Sequence, residues 1–104
     1  MKKRPPFRMK PANHAVLTCD GKHVTSARAT FVWEQFLMRR ISGVPGEYKI
    51  RDARKGRPWH RLDWTPEQAE EMLAGEFGGM FKKRRVAQAK AIRARREQRG
   101  LPVG

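Results

Sequence analysis

Acidic residues are absent from residues 1–12, and Glu97 is the only one in residues 81–104. Without them the first stretch, with Lys2, Lys3, Arg4, Arg8 and Lys10, carries a net +5. The last stretch, with Lys82, Lys83, Arg84, Arg85, Lys90, Arg93, Arg95, Arg96 and Arg99, carries +8. Residues 13–80 hold ten basic and nine acidic side chains, so almost all of the chain's +14 lies at its two ends. A nearly neutral body between cationic ends is the charge layout of a protein that meets a polyanion.

Other absences narrow the class further. Cys19 is the only cysteine, which excludes an internal disulfide and a multi-thiol metal site. That usage fits a reducing compartment, the cytoplasm or an organellar matrix. No apolar run approaches the ~18 residues of a membrane span, and no apolar stretch follows the first cations as in a secretory leader. A membrane partner is therefore not expected. The basic start lacks serine, holds Pro5 and Pro6 and forms no amphipathic helix, so it reads as an arm of the working protein and not as a targeting peptide.

Catalytic chemistry finds little support. His14, His23 and His60 are the only histidines, and no pair has helical ligand spacing that would join Asp20, Asp52 or Asp63 around a metal. Cys19 reads as a small core residue of a strand. Gly78-Gly79 lacks the surroundings of a phosphate loop. No catalytic residue, metal or cofactor is expected, and the chain does not read as an enzyme.

What is present divides into three parts. Residues 1–13 form a Pro-containing basic arm, extended because Pro5, Pro6 and Pro11 fix φ and remove donors. Residues 14–79 form a small α+β domain of two β-hairpins and two helices. Residues 80–104 form a long basic helix and tail. Asp20-Gly21, between two β-prone runs, predicts a tight hairpin turn. A helix follows, capped by Thr25 or Ser26 and stopped at Gly43, with Trp33 and Phe36 as packing residues. Around Ala53-Arg54-Lys55-Gly56, the alternation of Glu47–Asp52 and Arg57–Trp64 predicts a second hairpin. Thr65-Pro66-Glu67-Gln68 predicts a capping box with proline in the first helical position. The helix from Met80 to Gln98 has thin apolar content and cations on nearly every side. It is expected to be held mainly by anions beside it.

Phe31-Val32-Trp33-Glu34, followed by Ile41-Ser42-Gly43-Val44-Pro45-Gly46, resembles the stretch before the catalytic strand of phage-type HNH endonucleases. The resemblance implies a related shape with nucleic-acid contacts. In that family a histidine pair follows the Pro-Gly turn. Here Lys49, Ile50, Arg51 and Asp52 occupy the matching region, so no catalytic residue is carried over.

Arginine outnumbers lysine fifteen to nine. The planar guanidinium grips phosphate bidentately and stacks on bases. Those properties put RNA ahead of DNA as the partner, bound by a non-enzymatic assembly or structural protein like those of ribosomes and other large ribonucleoproteins. The expected contacts are Lys2, Lys3, Arg4 and Arg8 in the arm; Arg51, Arg54, Lys55, Arg57 and Arg61 around the second hairpin; and Lys82, Lys83, Arg84, Arg85, Lys90, Arg93, Arg95, Arg96 and Arg99 at the end. Two competing readings are a small phage or bacterial regulator docking on an acidic surface of a nucleic-acid-processing enzyme, and a degenerate HNH-like DNA-binding protein.

Overall fold

The computed structural model describes residues 13–76 and 80–102. The element order is β1 (His14–Cys19), β2 (Lys22–Arg28), α1 (Ala29–Ile41), β3 (Tyr48–Asp52), β4 (His60–Arg61), α2 (Pro66–Glu76) and α3 (Met80–Gln98). Four antiparallel strands in the order β2-β1-β3-β4 and three helices make this an α+β protein. The described residues fall into two units. A sheet unit holds the chain up to Phe36 together with Gly46–Asp63, and a helical unit holds Leu37–Pro45 and the chain from Trp64 onward. The basic arm and Gly78-Gly79 lie outside the described residues.

In the sheet unit, β1 and β2 pair across Asp20-Gly21, with Cys19 opposite Lys22. Both turn residues have positive φ, 51° and 79°, the left-handed pair that a type I′ turn requires and that Asp-Gly tolerates. The register slips between Leu17 and Thr18, which leaves Val24 as an extra residue in β2. Alternation then sorts the side chains. Ala15, Leu17, Tyr48, Ile50 and Asp52 lie on the buried face of β1 and β3, and Val32, Trp33 and Phe36 of α1 are buried too. The Phe36 ring stacks on Trp33 and meets Tyr48 edge-on, with centroids 5.4 Å apart in both pairs. Trp33 and Phe36 are therefore core residues, as their place on a broadly apolar helix predicts.

The start of α1 differs from expectation. Thr25 and Ser26 do not cap a helix; they are strand residues opposite Leu17 and Val16. β2 continues to Arg28, and the Ala29 N–H donates to the Asn13 carbonyl at 2.7 Å as the helix begins. Pairing with β1 satisfies the backbone groups that a local cap would have engaged, so the ladder overrides the capping signal.

The helical unit contains the end of α1, α2 and α3. Gly43, at φ 78°, donates to the Arg40 carbonyl, and Val44 donates to that of Arg39. This is the Schellman closure, whose left-handed residue favours glycine, and Pro45 follows where a helix cannot continue. α3 ends in the same way, with Gly100 donating to Glu97 and Leu101 to Arg96. At the start of α2 the Gln68 N–H donates to Thr65 Oγ1 at 3.1 Å, and the Thr65 N–H donates to Gln68 Oε1 at 3.0 Å. The capping box is complete, an arrangement that contributes about 1 kcal/mol.

α3 is better seated than its composition suggests. Ala89 is fully buried, and an Arg93 Nη2 hydrogen donates to Glu70 Oε1 on α2 at 2.8 Å. The ion pair joins α3 to α2. No helix among the described residues is long and apolar enough to cross a membrane.

Candidate functional site

The side of the sheet opposite its buried face gathers cations from three of the four strands, β2, β3 and β4. Ladder partners point the same way, so the register shows which residues share it. His14 is opposite Arg28; Val16 lies between Ser26 and Arg51; Thr18 lies between His23 and Lys49; and Lys49 is opposite Arg61. Arg28, Lys49, Arg51 and Arg61 thus project from one face, with His14 and His23 beside them. The Arg51 guanidinium lies over the Trp59 indole, 4.8 Å from the ring centroid. Trp59 precedes β4 and is 44% exposed.

Two carboxylates border this face. Glu47 Oε1 is 3.3 Å from Lys49 Nζ, and Glu47 Oε2 is 3.9 Å from Arg61 Nη2; Asp63 Oδ1 is 3.6 Å from the same Arg61 nitrogen. These pairs are well exposed, and such pairs contribute only about 0–1 kcal/mol. A phosphate could replace either carboxylate with little loss. Arg28 has no ion pair among the described residues.

The turn between β3 and β4 holds a second group of cations. Asp52 accepts from the Arg54 backbone N–H at 2.9 Å and from the Arg54 guanidinium at 2.8–3.2 Å. Arg54 therefore closes the turn, while Lys55 and Arg57 are exposed. The side-chain bonds from Arg54, helped by its backbone N–H, hold the Asp52 carboxyl down from 3.8 to about 2. A lowered carboxyl pKa adds stability that is complete above the unfolded value and is lost as pH falls through the folded one. Compared with Asp52→Asn, the native protein should keep a constant stability advantage above pH 4. That advantage should shrink between pH 4 and about 2, measured by urea unfolding at each pH.

In the helical unit, α3 divides its cations by direction. Arg84 and Arg95 are eleven residues apart, close to three full turns. They share the exposed side with Arg99 just past the helix end, and Lys90 is exposed more than a quarter-turn round from them. None of these four has an ion pair among the described residues. Arg85 is half-buried and has a partner. Arg93 is committed to Glu70, and Arg96 donates to the Pro102 carbonyl at 2.9 and 3.3 Å. Of Lys82 and Lys83 only the backbone, in α3, is described, and Lys2, Lys3, Arg4 and Arg8 lie outside the described residues.

Of the residues expected from sequence, the structure therefore brings Arg51 and Arg61 together on the sheet, and Arg84 and Arg95 on one side of α3 with Arg99 just past its end. Sequence reasoning missed Arg28, Lys49 and Trp59. Lys49 was legible, since it alternates with Tyr48 and Ile50. Arg28 is not, because the capping signal of Thr25-Ser26 points to a helix there, whereas β2 runs on to Arg28. Among the described residues no three His, Cys, Asp or Glu side chains are placed to hold a metal ion. No protein-family model, curated protein or solved structure matches the chain.

Proposed function

We propose that this chain is a non-enzymatic nucleic-acid-binding protein, with RNA ahead of DNA as its partner, acting as an assembly or structural component of a ribonucleoprotein. One observation carries the reading: Arg84, Lys90 and Arg95 on α3, and Arg99 just past its end, stand exposed with no carboxylate partner among the described residues. Cations that are neither buried nor paired are available to neutralise phosphates and release their counterions. Lys55 and Arg57 in the sheet unit, and Lys2, Lys3, Arg4 and Arg8 in the arm, extend the same reading, and Lys82 and Lys83 add to it. Arg54, Arg93 and Arg96 contribute less, because each is engaged within the protein.

Ultraviolet crosslinking of the native protein in cells, followed by sequencing of the attached nucleic acid and mapping of the crosslinked peptides, tests the proposal. RNA attached at residues 81–99 is the expected result. A stoichiometric protein partner that survives nuclease treatment, with no crosslinked nucleic acid, would overturn it in favour of a regulator docking on an acidic surface. Crosslinks to DNA alone would overturn the choice of RNA.

A further inference from the structure

The cations of α3 account for contacts with phosphate, but not for an exposed tryptophan on the sheet. Trp33 and Trp64 are 3% and 4% exposed, whereas Trp59 is 44% exposed. Among the described residues the exposed large apolar side chains are Phe31, Trp59, Ile92 and Leu101, and Trp59 is the one set beside a cation of the sheet. Trp59 also belongs to an ordered group. Arg51 covers one side of its ring, and Arg51 Nε is buried with no hydrogen-bond partner among the described residues. The guanidinium is thus held by the indole and not by a carboxylate. Lys49, Arg61 and Arg28 share the same face of the sheet.

We infer that this face is a stacking platform for the unpaired bases of a single-stranded nucleic acid. Trp59 takes a base on its open area, Arg51 fixes the indole from the other side, and Lys49, Arg61 and Arg28 receive the adjoining phosphates. An aromatic ring among cations on one sheet face matches what a single strand presents, a π-face for each base and a charge for each linkage. Paired bases in a duplex are stacked on one another and have no face to give. An acidic protein surface would use the cations and leave the indole without a role. The inference rests on the nucleic-acid reading above and adds the form of the ligand and the residue that meets its bases.

The test compares an oligouridylate with a strand of the same length whose sugar–phosphate backbone carries no bases, using the native chain, Trp59→Ala and Trp59→Phe. Because Trp33 and Trp64 are buried, quenching of tryptophan fluorescence by the base-bearing strand reports on Trp59 directly. Trp59→Ala should weaken binding of oligouridylate by roughly ten- to a hundredfold and leave binding of the base-free strand unchanged. Trp59→Phe should restore most of the affinity. Equal affinity of the native chain and Trp59→Ala for oligouridylate, or an equal loss on both strands, would overturn the platform while leaving nucleic-acid binding in place. Failure of the native chain to bind either strand would overturn the parent reading, and the platform with it.

Discussion

Raising monovalent salt from 50 to 200 mM should weaken binding of this protein to a single strand by about 300-fold, taking about six phosphates neutralised at a slope of about −0.7 each. Counted for each unit by itself, exposed or half-exposed cations are plentiful: Arg84, Lys90, Arg95 and Arg99 in the helical unit, and Arg28, Lys49, Arg51, Lys55, Arg57 and Arg61 in the sheet unit. The loss follows from the ions that the nucleic acid releases when bound, so it depends on charge count and not on base sequence. Replacing one contact, as in Arg84→Gln, should reduce the slope by about 0.7. Titrations by fluorescence anisotropy at four or five salt concentrations would give both numbers. A slope near zero would show that phosphate contacts do not drive the association.

The second large effect concerns the core of the sheet unit. Phe36 is fully buried, stacks on Trp33 and meets Tyr48 edge-on, so Phe36→Ala removes the ring on which both contacts depend. Replacing a buried phenylalanine by alanine costs about 3–5 kcal/mol, since the cavity adds to the lost transfer energy. Domains of this size are only marginally stable, so that cost takes away most of what holds the unit folded. The expected result is a collapse of the near-ultraviolet signal of the tryptophans at 25 °C, or a urea midpoint shifted close to zero. Phe31, on the same helix but 46% exposed, provides the control. Phe31→Ala should change stability by no more than about 0.5 kcal/mol. A loss below 1 kcal/mol for Phe36→Ala would mean that the aromatic cluster is not the core of the unit.

The features legible in the sequence are those encoded by neighbours in the chain. Asp20-Gly21 specifies its turn, Thr65 and Gln68 specify their cap, and Gly43 specifies a helix end, because each acts over two to four residues. Pairing between distant segments was less visible. The antiparallel alignment of β1 with β3 places Val16 opposite Arg51 across 35 positions, and nothing local announces it. The shared outward face of Arg28, Lys49 and Arg51 depends on that alignment. The basic character of the surface could therefore be read from composition, whereas its assembly around Trp59 could not. The Arg93–Glu70 pair was hidden for the same reason. A cation in a run of cations looks free until its partner, 23 positions earlier, is placed beside it.

The extra residue at Val24 has a bearing on how the protein behaves at high concentration. A sheet ends in strands with unsatisfied donors and acceptors, and those borders recruit strands from other copies. Here one border, β4, is only two residues long and offers little to extend. The other, β2, is seven residues long, but Val24 breaks its regular spacing in the middle, and Lys22 and Arg28 place like charges at its two ends. A second copy laid alongside would meet a kinked border and matching repulsion. The fold thereby resists strand-by-strand aggregation, and its like charges keep separate copies apart.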